Sequence, residues 1–314
     1  WVGKYQKLFD HLTDIYRFLS YSFVSIHTGA VGQLYITGGF MSIHNVIPDI
    51  GKRLRESRPI KKENREAFLA GMSNVLSTYL EEDRKGSKNI RMSNIGKQDR
   101  KIWMDVNGPD IKEELTTSNR MRFLYGSIVE ELLLFLVKES GHEVTAEQKK
   151  VTIDGVDGHM DCKIDGEVVD IKSASPHGFK KFKTGFDQTQ DEFGYIGQIS
   201  GYVEAEGKDK GYFLAMNKSD GDLALLEIED FDLISAKKRI KHIREFLSDK
   251  ENPPKYCALP VPEGKSGNMK LARVCFYCEY KNTCWPKLRA FQYSDKVVYL
   301  TKVSKEPNVE EIHV

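Results

Sequence analysis

Two β-prone runs joined by the turn-forming dipeptide Asp165-Gly166 constrain the fold of this chain more than any other feature. Such a dipeptide between two strand-like runs predicts a β-hairpin. Asp161 lies on its first strand and Asp170 on its second, with Lys172 two residues further on. Because positions i and i+2 of a strand share a face, Asp170 and Lys172 project side by side, and the hairpin brings Asp161 close to them.

Two neighbouring carboxylates repel each other unless a cation lies between them. Their hard oxygen atoms suit Mg²⁺ or Mn²⁺, which lowers the pKa of a bound water and stabilises a pentavalent phosphate. A lysine beside the ion can orient or deprotonate that water and offset charge on the phosphate. The pattern therefore indicates phosphodiester hydrolysis, although Asp-x-Lys by itself is common in ordinary surface hairpins.

Two predicted helices flank the hairpin and add polar side chains to it. The periodicity of residues 113–140 predicts a long helix that carries Glu130 to the sheet edge. Glu131 points about 100° away, so one of the two acids faces the site, with Glu131 as the alternative. Gln198 and Tyr202, at i and i+4, share a face of the second helix.

The predicted elements indicate an α/β fold with a central mixed sheet flanked by helices, preceded by a helical N-terminal region. Helices are expected over 63–82, 113–140, 189–204 and 231–247, and strands over 143–153, 158–164, 167–171, 210–217 and 223–228. We divide the chain into a basic helical region (1–110), a core (111–250) and a Cys-rich segment with a tail (251–314). Because the chain opens on Trp1 and Met41 would serve as a start, we expect residues 1–40 to be an extension.

Composition narrows the class of protein. The 47 basic and 46 acidic residues leave a net charge of +1, which excludes a uniformly basic nucleic-acid coat but permits a basic groove beside an acidic metal site. Neither a secretory signal nor an apolar membrane span is legible, so we expect a cytoplasmic protein. The chain has no P-loop motif, so we expect no helicase motor.

The order of these residues resembles the PD-(D/E)xK nuclease superfamily, and within it the RecB-like branch, over about residues 121–290. The matching positions are Glu130, then Gly-x-x-Asp161, then Asp170-Ile171-Lys172, then Gln198-x-x-x-Tyr202. The resemblance implies a restriction-endonuclease-like core in which the three acids bind Mg²⁺ or Mn²⁺ and Lys172 assists hydrolysis. It also implies that the Gln198/Tyr202 helix supports the site and the DNA. The chain departs from the branch at Glu130, where many members have His.

A lysine-rich stretch follows the hairpin. Lys180, Lys181 and Lys183 alternate with Phe179 and Phe182. Cations interleaved with aromatic rings can hold a phosphate backbone and stack a base, so we predict DNA contact here. A solvated loop is the alternative.

Four of the five cysteines cluster near the C-terminus. Cys275, Cys278 and Cys284 have C-x2-C-x5-C spacing, and Cys257 precedes them. Four thiolates suit either a zinc ion or a [4Fe–4S] cluster. The fifth, Cys162, follows Asp161 on a strand and should point to the opposite face, so Cys257 is the expected fourth ligand.

The cysteine pattern resembles the C-terminal iron–sulfur motif of AddB-type and CRISPR-adaptation nucleases of the same branch. This resemblance implies a [4Fe–4S] cluster with a structural role, with zinc as the alternative. This chain departs from those nucleases in one respect: their fourth cysteine ligand precedes the core, and here no cysteine does. We expect a metal-dependent DNA exonuclease of recombination, repair or phage DNA processing that acts with a recombination partner protein. The sequence gives no indication of an oligomeric interface. The alternatives are a CRISPR spacer-trimming nuclease and a non-catalytic DNA-binding module.

Overall fold

The computed structural model describes residues 25–28, 34–37, 41–81, 88–109, 117–229, 232–276, 278–294 and 296–312. The chain forms two compact units, Trp1–Asn45 and Val46–Val314. In the first, β1 (Ser25–Thr28) and β2 (Leu34–Thr37) form an antiparallel hairpin where helices were expected. The other residues of the predicted extension 1–40 lie outside the described residues.

A five-stranded mixed sheet is the centre of the second unit. Its strands are β3 (Val144–Thr145), β6 (Cys162–Ile164), β7 (Glu167–Ala174), β8 (Gly211–Asn217) and β9 (Leu223–Ile228), in the order β3-β6-β7-β8-β9. The β7–β8 pair is parallel and the other pairs are antiparallel. Successive residues Val168 and Val169 of β7 are both fully buried, because both faces of the sheet are covered.

Helices flank this sheet. They are α1 (Val46–Arg55), α2 (Lys62–Leu80), α3 (Asp99–Asn107), α4 (Thr117–Glu139), α5 (Pro176–Thr184), α6 (Tyr195–Ala205) and α7 (Ala236–Ser248). Helices α4, α5 and α6 all contact β7, the strand that carries Asp170 and Lys172. The predicted α/β architecture, a central mixed sheet flanked by helices, is confirmed. None of the helices within the described ranges is long and apolar enough to cross a membrane.

A second five-stranded sheet, which the sequence did not predict, occupies the C-terminal segment. Its strands are β10 (Val261–Glu263), β11 (Asn268–Lys270), β12 (Arg289–Tyr293), β13 (Lys296–Lys302) and β14 (Glu311–Ile312), in the order β10-β11-β13-β12-β14. Two one-turn helices, α8 (Arg273–Phe276) and α9 (Lys281–Cys284), lie between β11 and β12; they carry Cys275 and Cys284, and Cys278 lies in the connection between them.

Several predictions around the hairpin were wrong in detail. The expected strand 143–153 is two strands, β3 in the central sheet and β4 (Lys149–Ile153) in a separate ribbon, and the expected helix 189–204 begins only at Tyr195. The expected strand 158–164 is divided at Asp161, because β5 (Val156–Met160) pairs with β4 in that ribbon while β6 pairs with β7. The stretch after Lys172 is not a loop but helix α5. Its start is set by Pro176 at the first position and by Ser175, whose hydroxyl accepts a hydrogen bond from the Gly178 amide.

Candidate active site

The strand geometry of β7 brings Asp170 and Lys172 together as the two-residue repeat requires. The Lys172 ammonium forms an ion pair with a carboxylate oxygen of Asp170, which is completely buried. Asp161 lies at the break between β5 and β6, beside the middle of β7. There its Oδ2 accepts a 2.8 Å hydrogen bond from the backbone amide of Ile171. The chain thus places the two aspartates on either side of one peptide unit of β7.

Helix α4 adds a third carboxylate from the side. Glu130 faces the group, and its Oε1 accepts a 2.6 Å hydrogen bond from Gln148 Nε2. Its neighbour Glu131 points toward α2, where its carboxylate lies so close to Gly71 that a side chain at that position would collide with it. Of the two acids that the sequence left open, Glu130 is therefore the one directed at Asp170 and Lys172.

Burial and mutual repulsion shift the acids of this group in one direction. Burial, followed by the charges of Asp170 and Glu131, raises the pKa of Glu130 to about 7. Burial and the charges of Asp170 and Glu130 also raise the pKa of Asp161 well above its ordinary value. Burial acts to lower the pKa of Lys172, but attraction to Asp170 and Asp161 outweighs it, so that pKa is raised. Lys172 therefore stays protonated, as an ammonium ion surrounded by carboxylates.

The donor set fits a hard divalent cation. Three carboxylates converge, and apart from the Lys172 ion pair neither oxygen of Asp170 accepts a hydrogen bond from the described residues. No three His, Cys, Asp or Glu side chains in the described ranges are already grouped as ligands of one ion. Each carboxylate instead engages a protein donor, from Gln148, Ile171 or Lys172. An ion of the Mg²⁺ or Mn²⁺ class would compete with these donors for the same oxygens.

The Gln198/Tyr202 pair lies on α6 behind the acids. Gln198 Nε2 donates a 3.2 Å hydrogen bond to the Tyr202 hydroxyl, and the Tyr202 ring is almost fully buried. Burial is the main cause of the raised pKa of Tyr202, and the nearby charge of Asp170 adds to it. The ring packs against Gly158, where an added Cβ would lie 3.0 Å from Tyr202 Cε1. The tightest neighbour of Gly158 is Met92, whose Cβ would lie 2.4 Å from an added Cβ, so the glycine of the Gly-x-x-Asp motif makes room for Met92 first and for the Tyr202 ring second.

Sequence reasoning missed two residues of this site. Gln148, in the connection before β4, bonds Glu130, and nothing in its local sequence signals that role. Tyr195 has its ring centroid 5.1 Å from Lys172 Nζ. The signal for Tyr195 was readable, because it precedes Gln198 by three residues and therefore shares its helix face.

The lysine-rich stretch does not have the predicted arrangement. Phe179 and Phe182 are buried in the core, so the prediction that they stack a base was wrong; their i, i+3 spacing puts both on the inner face of α5. Lys180 is exposed. Lys181 Nζ donates a 2.7 Å hydrogen bond to the Gln190 carbonyl, and Lys183 forms a 2.6 Å ion pair with Asp222.

The thiols of Cys257, Cys275, Cys278 and Cys284 lie within electrostatic range of one another, but no three of them in the described ranges are grouped as ligands of one ion, and Cys162 lies apart. Burial and the neighbouring thiols of Cys257 and Cys284 raise the pKa of Cys275 to about 11. Burial likewise raises the pKa of Cys278 to about 11, with Glu279 and Cys257 contributing. Arg100 Nε donates to Cys284 Sγ at 3.4 Å. The buried Cys162 thiol instead points to the carbonyl of Val169, at 3.9 Å.

A cavity of about 730 Å³ lies beside this cysteine group rather than at the carboxylates. Its lining comes mainly from residues 96–100, 234–239 and 254–257, and includes Cys257. The two arginines of its wall are already paired, because Arg239 forms an ion pair with Asp99 and Arg100 donates to the Pro254 carbonyl; the wall also carries Lys97, Lys238 and Lys255. None of the three carboxylates, Glu130, Asp161 and Asp170, lines this cavity, so the cavity and the carboxylate group are separate sites.

No family model matches this chain, and no curated protein is similar to it. Among solved structures, SSO0001 is 15% identical, with a TM-score of 0.41, over 70% of this chain and 96% of its own. An alkaline exonuclease, LHK-Exo from Laribacter hongkongensis, is 18% identical, with a TM-score of 0.28, over 50% of this chain and 89% of its own. Its complex with dAMP aligns with a TM-score of 0.29. All three TM-scores are below 0.5, so these similarities carry no argument about function, which we infer from the side-chain geometry.

Proposed function

We propose that this chain is a divalent-metal-dependent nuclease that hydrolyses phosphodiester bonds in DNA. The observation that carries the proposal is the convergence of Glu130, Asp161 and Asp170 around the single ammonium group of Lys172. Buried acids without enough cations are unfavourable, and such groups persist where function requires them. Hard oxygen donors beside an ammonium group fit an ion that binds phosphate.

In the proposed mechanism the three carboxylates hold Mg²⁺ or Mn²⁺. The ion, when bound, supplies an activated water and neutralises charge on the scissile phosphate. Lys172 Nζ carries its proton at neutral pH because its pKa is raised. That state favours orienting the water and stabilising charge on the phosphate oxygens over removing a proton. Tyr202, which is buried and hydrogen-bonded to Gln198 on the same helix, packs against Gly158 of the Gly-x-x-Asp motif.

We further propose that the four cysteines Cys257, Cys275, Cys278 and Cys284 hold a [4Fe–4S] cluster, with zinc as the alternative. Their proximity and the soft thiol donor set support such a centre. The resemblance to the iron–sulfur motif of the RecB-like branch implies a structural role for the centre, and that is the role we assign. The resemblance to the RecB-like branch favours an exonuclease of DNA recombination, repair or phage DNA processing, working in the cytoplasm with a recombination partner protein.

The test is cleavage of end-labelled single- and double-stranded DNA in the presence of Mn²⁺. Asp170→Ala and Lys172→Ala should each lower the cleavage rate by about 100-fold or more, because each removes a group that contacts the ion or the phosphate. Asp157→Ala, which removes an exposed acid from the neighbouring ribbon, is the matched control and should cleave at the parent rate. Circular dichroism checks that the variants fold. Cleavage that survives both substitutions contradicts the proposal.

A further inference from the structure

Two aromatic rings lead from the catalytic lysine to solvent. The Tyr195 ring centroid lies 5.1 Å from Lys172 Nζ. Phe193 stacks on Tyr195, with the ring centroids 5.4 Å apart and the planes inclined by 26°. Phe193 is 57% exposed, so one side of the stack is open to solvent. The inner ring of this stack lies beside the proposed reaction centre, and the outer ring has a face on which a further ring could stack.

The loop that presents Phe193 is fixed by hydrogen bonds. Asp191 accepts from the backbone amides of Gly194, at 2.9 Å, and Ile196, at 2.7 Å. Gly194 has a φ of +79°, a conformation that glycine adopts without strain and that turns the chain sharply into α6. The exposed ring is therefore held outward in one position before any ligand arrives. Such preorganisation lowers the entropic cost of binding.

Cationic side chains lie beside the loop that presents the stack, where Arg273 and Lys181 both pair with Glu192. Arg273 Nε lies 3.6 Å from the Glu192 carboxylate, and its Nη1 contacts His177 Nε2 at 2.8 Å. Lys181 reaches the same loop through the Gln190 carbonyl. With Lys172 beneath the rings, an aromatic platform and a set of cations occupy one surface. That combination is typical of sites that bind single-stranded nucleic acid, in which bases stack and phosphates contact cations.

We propose that Phe193 and Tyr195 form a stacking platform for a nucleobase next to the scissile phosphate, and that the substrate is therefore an unpaired DNA strand or frayed end. A base inside a duplex has both faces covered by its neighbours and cannot lie on the Phe193 ring. This inference rests on the proposed function and deepens it, because it assigns the form of DNA that reaches the carboxylates.

The experiment measures binding without cleavage. Asp170→Asn is the background, and the probe is a single-stranded oligonucleotide with 2-aminopurine at successive positions. One position should lose fluorescence on binding, as expected for a stacked base. In the same background Phe193→Ala should weaken binding about 5- to 100-fold, the range for one base–aromatic stack. Phe193→Trp should restore it. Phe123→Ala removes another exposed phenylalanine, on α4, and should change binding less than about twofold.

A second arm separates stacking from a structural effect. An abasic site at the quenched position should bring the affinities of Asp170→Asn with and without Phe193→Ala within about twofold of each other, because the base that uses the ring is gone. The proposal is overturned if Phe193→Ala leaves affinity unchanged, if Phe123→Ala causes an equal loss, or if the loss persists on the abasic strand. Failure of the wild-type protein to cleave DNA, with position-specific quenching intact, contradicts the nuclease proposal and leaves the stacking platform standing.

Discussion

At the scale of single residues, the cluster of three carboxylates destabilises the folded protein. Glu130, Asp161 and Asp170 share one compensating ammonium group, so burial leaves an excess of negative charge. Removing Lys172 would leave the acids without their compensating charge, whereas removing one acid would relieve repulsion among the others. The residues remain adjacent because β7, α4 and the β5–β6 break hold them there.

The titration of Glu130 gives a prediction about pH. Its pKa in the folded protein is about 7, above its ordinary value of 4.5. Between these values the unfolded chain has released a proton that the folded protein still holds, so folding stability falls as pH rises through this window. In EDTA, the Tm of the wild-type protein should therefore fall between about pH 5 and pH 8, and Mn²⁺ should reduce the fall.

Glu130→Gln tests the assignment, because a neutral amide cannot release a proton. Its Tm should depend less on pH than that of the wild-type protein across the same window. Glu143→Gln, which changes an exposed glutamate, is the control and should keep the wild-type slope. Equal slopes for Glu130→Gln and the wild-type protein would show that another group is responsible. Thermal denaturation followed by circular dichroism provides the measurement.

At the scale of elements, close backbone packing sets the position of α6. Gly194, Gly197 and Gly201 face the segment 92–96, and Gly197 rests directly on the backbone of Gly96. Arg239 holds the far side of the same segment by donating to the carbonyls of Ile95 and Lys97. Because α6 carries Tyr195, Gln198 and Tyr202, this packing sets the distance between those side chains and the acids.

Gly197→Ala should therefore destabilise the protein, because its Cβ would collide with backbone atoms that cannot move aside. We expect a loss of about 1–3 kcal/mol in the free energy of unfolding, measured by urea denaturation. Gly51→Ala is the matched control within helix α1. Its Cβ would meet only the flexible end of Arg55, at 3.4 Å, so the better helix propensity of alanine should leave stability unchanged or raise it by up to about 1 kcal/mol. Equal effects of the two substitutions would contradict the packing argument.

Helices and turns that are encoded by the hydrophobic periodicity or turn residues of their own segment were predicted correctly from the sequence. The periodicity of residues 113–140 and 63–82 predicted helices that the structure has at Thr117–Glu139 and Lys62–Leu80. Asp165 and Gly166 both have positive φ, as the predicted hairpin turn requires. Helix α5 was missed although Ser175-Pro176 is a readable helix start, because the lysines and phenylalanines after it were interpreted as a loop.

What local patterns could not give is the choice of distant partners. The chain changes sheets at Asp161 because β5 pairs with β4 while β6 pairs with β7, and no residue near Asp161 encodes that change. The same applies to Gln148, whose partner Glu130 lies on another element. Asp170 and Lys172 could be placed together from their spacing because β7 supplies both at i and i+2, whereas Asp161 and Glu130 were assigned through the order of motifs that resembles the nuclease branch.

At the scale of the whole second unit, α3 joins the core around the central mixed sheet to the cysteine segment. Trp103 Nε1 donates to the Asp249 carbonyl at 2.7 Å, and Lys101 forms a 2.8 Å ion pair with Glu279. Arg100 contacts both the Pro254 carbonyl and Cys284. On the other side Arg273, two residues before Cys275, reaches the loop that presents Phe193. Order in the cysteine segment should therefore extend to the proposed stacking platform.

The last prediction follows from that connection and concerns the cysteine centre. Cys275→Ser should lose most of the bound iron or zinc, and the segment 251–314 should become more sensitive to protease, because metal binding contributes directly to folding. Cys162→Ser, which changes the one cysteine outside the group, is the control and should keep its metal content. Elemental analysis measures the metal, and broad absorbance near about 400 nm identifies an iron–sulfur cluster rather than zinc. If Cys275→Ser keeps its metal, or Cys162→Ser loses as much, the four-cysteine site is wrong.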